Sequence, residues 1–209
     1  GYVAGDTDLA AINIVSGVNL FGVVGSAGAV AAPVPKTGQT ISYGPGDDGA
    51  LEMGAVLPTP RFTANVDNNG DGDCEDPGET CDGTVTDNLT RLVWLRDANC
   101  WGFQQWSVAL SLANALSDGQ CSLSDGSEAG DWRLPNVREL CSLVDFSQYP
   151  TALPRGHPFL SISFDKYWTS TTRAYDTNYA YYMYLYGTPY VGSNYKTNVF
   201  NVWPVRGGQ

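Results

Sequence analysis

The sequence predicts an α+β fold with a short β-rich segment ahead of it, on three observations. First, two stretches carry apolar residues at helical spacing. Second, the last forty residues of the chain alternate in the manner of β-strands. Third, charged residues are only 16% of the chain while Gly, Tyr, Trp, Thr and Asn are plentiful, a profile of turn-rich β structure more than of a helical bundle. With 209 residues, 43% of them hydrophobic, the chain has enough apolar material for one sizeable core and a small appendage.

Residues 1–25 form the first segment. Ile12, Ile14, Val18, Leu20, Phe21, Val23 and Val24 are grouped around Gly17, Gly22 and Gly25, which predicts one or two short strands with glycine turns. So small an apolar segment forms no core of its own and must pack on something else. Residues 26–60 follow as a linker and an irregular stretch. Ala31-Ala32-Pro33-Val34-Pro35 reads as extended, and Tyr43 to Pro60 as chain laid on the main domain.

Residues 61–209 are that domain. Thr84-Val85-Thr86-Asp87 and Leu92-Val93-Trp94-Leu95 read as strands around a turn at Asn88-Leu89-Thr90. Trp106, Ala109, Leu110, Ala113 and Leu116 recur as one helical stripe that ends at Asp118-Gly119. A second helix starts after Asn136, a good N-cap with Glu139 three residues on, as a capping box requires. Val137, Leu140, Leu143 and Val144 are its expected buried face. Between Tyr181 and Tyr186 the alternation puts Tyr181, Met183 and Leu185 on one side and Tyr182, Tyr184 and Tyr186 on the other.

Five cysteines are present, none in CxxC spacing. Cys74 and Cys81 bracket a short acidic loop, which favours a local disulfide. Cys100 and Cys121 flank the first helix as a candidate second pair, leaving Cys141 as a buried thiol. Two disulfides imply an oxidising compartment. No segment approaches the length of a membrane span. The chain starts at Gly1 with neither Met nor a basic n-region, as it would after removal of a leader or from an internal starting point.

The net charge is −11 and no basic patch is visible, which argues against a nucleic-acid partner. The acids are concentrated: eight lie from Asp67 to Asp87 with no Lys or Arg among them. Such a run either binds a cation or is a solvated loop. Asp67-Asn68-Asn69-Gly70-Asp71-Gly72-Asp73 matches the first half of an EF-hand-type calcium loop, with oxygen ligands at alternate positions and a glycine for the sharp turn. The twelfth position is Gly78, so closure would fall to Asp76 or Glu79 with a different geometry. The candidate ligands of a structural calcium ion are therefore Asp67, Asn69, Asp71, Asp73, Asp76 and Glu79; the alternative is an acidic insertion stapled by Cys74 and Cys81.

Nine of the twelve tyrosines lie from Tyr167 to Tyr195. Tyr175, Tyr179, Tyr182, Tyr184, Tyr186, Tyr190 and Tyr195 exceed what one sheet face buries. Tyrosine supplies contact area at low entropic cost, so these residues are the candidate surface for a protein, a glycan or another copy of the chain; cross-strand packing is the alternative. Catalytic constellations are missing. His157, the only histidine, sits in a turn-like Arg155-Gly156-His157-Pro158, no set of histidines exists for a catalytic zinc, and no motif pairs two carboxylates. The expectation is a non-enzymatic protein.

The motifs from Thr84-Val85-Thr86-Asp87 and Leu92-Val93-Trp94, through Trp132-Arg133-Leu134-Pro135-Asn136, Glu139-Leu140 and Tyr167-Trp168-Thr169-Ser170-Thr171, to Val202-Trp203-Pro204-Val205-Arg206-Gly207-Gly208 resemble, in that order, a bacterial domain family named for the C-terminal domain of a collagen-like adhesin. The resemblance covers about residues 61–208. It implies a C-type-lectin-like fold with two helices, a twisted antiparallel sheet and long loops, at work as an extracellular or cell-surface adhesion or display module. Relatives by fold include the variable proteins of diversity-generating retroelements. Another, the formylglycine-generating enzyme, needs late cysteines, and this chain has none after Cys141. The glycine-punctuated N-terminal segment is similar to repeats that precede such domains. A second expectation follows from that segment: copies of the chain assembling into an oligomer or extracellular filament through apolar contacts or strand addition.

Overall fold

A computed structural model describes residues 34–65 and 81–207, together with the backbone of residues 19–20 and 23–24. The chain divides into two compact units, Gly1–Pro35 and Lys36–Gln209. In the first, β1 (Asn19–Leu20) and β2 (Val23–Val24) pair antiparallel, Asn19 opposite Val24 and Leu20 opposite Val23. These are the short strands expected in the glycine-punctuated segment.

The second unit takes in residues 36–60, which the sequence places in the linker and irregular stretch. Their backbone is tied down at several points: Lys36 N–H donates to Ala55 C=O at 3.1 Å, and Phe146 N–H to Thr37 C=O at 2.8 Å. A single helical turn, α1 (Asp48–Leu51), is capped by Asp47, whose carboxylate accepts from Ala50 N–H.

Two sheets follow, where one was expected. The first has the order β11-β5-β4-β3, all antiparallel, from β3 (Phe62–Ala64), β4 (Thr84–Asp87), β5 (Val93–Leu95) and β11 (Val205–Arg206). The second has the order β6-β10-β7-β8-β9, from β6 (Phe103–Gln105), β7 (Lys166–Thr172), β8 (Tyr179–Tyr184), β9 (Tyr190–Tyr195) and β10 (Val199–Asn201). Its one parallel contact joins β10 to β7 at Asn201 and Tyr167. The chain leaves this sheet through Val202-Trp203-Pro204. Pro204 has no N–H for a ladder, but its carbonyl accepts from Leu95 N–H at 3.1 Å, and the next two residues pair with β5.

Helix α2 (Trp106–Ala115) buries Ala109 and Ala113 of its predicted stripe, and Leu116 beyond its end is also fully buried. Helix α3 (Val137–Ser142) has the predicted capping box: Asn136 Oδ1 accepts from Arg138 and Glu139 N–H at 2.9 and 3.0 Å, and Glu139 Oε2 accepts from Asn136 N–H at 2.7 Å. The two helices cover opposite faces of the five-stranded sheet. On the α3 face, Leu140 and Leu143 share a core with Tyr167, Met183, Leu185, Trp94 and Trp203. On the α2 face, Ala109 and Ala113 meet Trp168, Ala180, Tyr182 and Phe200. Trp203 anchors the larger core: its Nε1 donates to Leu95 C=O at 2.8 Å, and Phe159, Trp94 and Tyr167 pack on it at 4.8–5.5 Å between ring centres. Truncating so large a fully buried ring costs about 3–5 kcal/mol.

Cys100 and Cys121 form the expected disulfide across α2. Closing a loop with a sequence separation of 21 residues contributes ~3 kcal/mol by restricting the unfolded chain. Cys81 is also disulfide-bonded, while Cys74, its expected partner, lies outside the described residues. Cys141 is free and half-buried, its thiol against Met183 Sδ at 3.9 Å, and burial pushes its pKa up.

Candidate binding surface

Of the candidate tyrosines, Tyr179, Tyr182 and Tyr184 lie on β8 and Tyr190 and Tyr195 on β9, where register determines which of them meet, while Tyr175 precedes β8 in a turn and Tyr186 follows it. Tyr179 lies opposite Tyr195, Tyr182 opposite Gly192, and Tyr184 opposite Tyr190. Successive strand residues point to opposite faces. The seven tyrosines therefore divide into groups instead of forming one face.

The first group surrounds Arg173. Its guanidinium stacks on the Tyr175 ring at 3.8 Å and reaches the Tyr179 ring at 4.9 Å, and Tyr179 stacks on Tyr195 at 4.1 Å. Tyr175 and Tyr195 are 80% and 52% exposed. The contact with Tyr195, then burial, raises the pKa of Tyr179. The result is a row of three rings, exposed at Tyr175 and Tyr195 and half-buried at Tyr179, with a planar cation against the first two members, Tyr175 and Tyr179.

The second group lies on the α2 face. Tyr182 is buried, so this residue belongs to the core and not to the exposed surface. Its ring packs on Phe200 at 5.0 Å, with Lys166 Nζ 5.8 Å from the Tyr182 centroid and 5.3 Å from that of Phe200. Burial foremost, then the Tyr190 hydroxyl, pushes its pKa up to about 12. Gly192 makes this packing possible, because a Cβ there would collide with the Tyr182 ring. Tyr184 and Tyr190 pack together at 5.3 Å, with Tyr190 46% exposed. Tyr186 sits apart, against Phe164 at 4.8 Å.

Reading tyrosines alone missed the cations that organise them. Besides Arg173, Lys196 places its ammonium 3.8 Å from the Trp106 ring and donates to Thr172 Oγ1 at 2.9 Å. The available signal was basic residues recurring through an aromatic-rich stretch of an otherwise acidic chain. The Trp132-Arg133 segment is structural: Trp132 is buried with Arg206 over its ring, and Arg133 forms a bidentate pair with Glu139 at 2.7 Å.

The candidate calcium ligands Asp67, Asn69, Asp71, Asp73, Asp76 and Glu79 all lie outside the described residues. Among the described residues, no three His, Cys, Asp or Glu side chains converge as metal ligands do. No helix among them is long and apolar enough to cross a membrane. His157 is half-buried, more enclosed than its turn-like sequence suggested, and burial lowers its pKa.

The fold defines an α+β, disulfide-containing module with mainly antiparallel sheets. The family model of the Lcl C-terminal domain matches residues 83–206, and the chain belongs to that family. No curated protein and no solved structure matches the chain.

Proposed function

We propose that the protein is a non-enzymatic binding or adhesion module of the bacterial cell surface or exterior, with a C-type-lectin-like fold, that engages a protein or glycan through Tyr175, Tyr179 and Tyr195. The observation that carries this reading is the exposed ring of Tyr175 fixed on Arg173 at 3.8 Å, continued by the Tyr179–Tyr195 stack. Rings held in this way lose little conformational freedom on binding, which is the main cost of a side-chain contact. Membership of the Lcl C-terminal domain family supports the adhesion role, and the disulfides support an exterior location. A calcium ion in the acidic run would offset the like-charge repulsion there and stiffen the loop.

The test is a screen of the immobilised protein against glycan arrays and extracellular-matrix and cell-surface proteins. It is run in parallel with the Tyr175→Ala/Tyr195→Ser variant. The expected result is a ligand retained by the parent and lost by the variant at unchanged melting temperature. Equal retention by both would remove the tyrosines from the contact.

Self-assembly is a second reading, favoured by the apolarity of residues 8–25 and by Ile41, Tyr43, Met53 and Val56, which are 64–82% exposed on the second unit. Electron microscopy of the protein in calcium, with and without residues 1–25, decides it. Polymers that need those residues support assembly; uniform small particles in both samples oppose it.

A further inference from the structure

A cavity of about 370 Å³ lies away from the tyrosines, between the chain leading into β3 and the turn that carries the only histidine. Its volume falls in the range of small-molecule sites, about 300–1,000 Å³. Leu57, Pro58, Pro60 and Pro154 supply apolar walls, and among the described residues no Asp or Glu lines it.

Two basic residues line this cavity, and their charges differ in availability. Arg61 is spent: its guanidinium is buried on Asp87 by two hydrogen bonds of 2.7 and 2.8 Å. Arg155 is exposed, donates from Nε to Gln148 Oε1 at 3.1 Å, and forms no ion pair among the described residues. In a chain of net charge −11, an uncompensated guanidinium beside a concave apolar wall marks a place for an anion. His157 lines the same cavity with its imidazole half-buried.

We propose that this cavity is a carboxylate-binding site. Arg155 supplies the charge, the His157 imidazole a hydrogen bond, and the prolines and Leu57 the contact for an apolar body. The Arg155 guanidinium and the His157 imidazole match the two oxygens of a planar monoanion. A phosphate dianion would leave charge and acceptors unmatched. The carboxylate belongs either to a free small acid or to the C-terminus of a peptide, and both present the same group.

His157 provides its own readout, because a single histidine gives one imidazole signal set by NMR. The protein is titrated with benzoate, with its neutral isostere benzamide, and with a short hydrophobic peptide bearing a free or an amidated C-terminus. The expected result is a saturable His157 shift with benzoate or the free-acid peptide at roughly millimolar concentration, and none with benzamide or the amide. Whichever acid binds more tightly identifies the source. Arg155→Gln should weaken binding by about tenfold or more. Occupancy should also raise the His157 pKa, since a carboxylate favours imidazolium. Equal shifts from benzamide and benzoate, or no saturation with either acid, would overturn the proposal. So would full affinity in Arg155→Gln. If that variant were to misfold, the benzoate–benzamide comparison on the parent protein decides alone.

Discussion

Arg61 and Asp87, 26 residues apart, form a buried bidentate ion pair: Nε donates to Oδ1 at 2.7 Å and Nη2 to Oδ2 at 2.8 Å, with both side chains shut away from solvent. Nη2 also donates to Ser142 C=O at 3.0 Å, which ties the first sheet to the end of α3. Burial pushes the Asp87 carboxyl up, but Arg61, Thr90 and the Leu89 N–H more than offset it and hold the group below its ordinary value. Removing one partner leaves an uncompensated buried charge. Arg61→Leu or Asp87→Leu should each cost about 3–5 kcal/mol, and the double variant less than the sum. The sign of the pH effect follows from the lowered pKa. The contribution is present above the unfolded value near ~4 and is lost as pH falls through the folded value. Urea unfolding of the three variants, repeated toward acid pH, checks both; additive losses would show that the two side chains do not act as a pair.

Gly192 exists for Tyr182. Valine at this position places branched atoms where the buried Tyr182 ring lies, and overpacking of this kind costs about 1–3 kcal/mol. Thermal melts should show Gly192→Val destabilised and part of the loss recovered by adding Tyr182→Leu. If the second change deepens the loss, the contact is not the cause.

Alkaline pH should unfold the protein through its tyrosines. Tyr182 is pushed up to about 12 and Tyr167 is raised by burial, whereas an unfolded tyrosine ionises near ~10. The unfolded chain releases these protons first. Their contribution is therefore complete below pH ~10 and is lost as pH rises through the folded values. Phenolate absorbance followed together with circular dichroism should show a group of tyrosines that ionises only as the fold is lost. A single step near ~10 with intact dichroism would contradict it.

Calcium should raise the melting temperature if the acidic run holds it. Free calcium at a hundredfold over its Kd contributes ~2.7 kcal/mol, and Asp71→Asn/Asp73→Asn should remove the effect. Superimposed melts in calcium and in chelator would dismiss the ion.

Local chemistry made much of this protein legible in its sequence. Asn136 and Glu139 cap α3 from three residues apart, the 106–116 stripe determines which side of α2 is apolar, and Cys100 and Cys121 join the ends of one helical loop. Strands at 84–87 and 93–95 announce themselves by β-branched residues and a turn between them. Alternation also separated Tyr182 from Met183. What it could not supply is which faces are covered, because a period of two says that neighbours point apart and nothing about what packs above them. Both faces of the five-stranded sheet turn out to carry a helix, so Tyr182 is core while Tyr175 and Tyr195 remain at the surface. The pairing of Arg61 with Asp87, the stacking of Arg173 between tyrosines, and the meeting of Arg155 and His157 with residues 57–62 depend on distances that close only when the sheets assemble. These contacts join residues far apart in the chain or across a loop, where sequence spacing carries no geometry, and tertiary packing alone decided them.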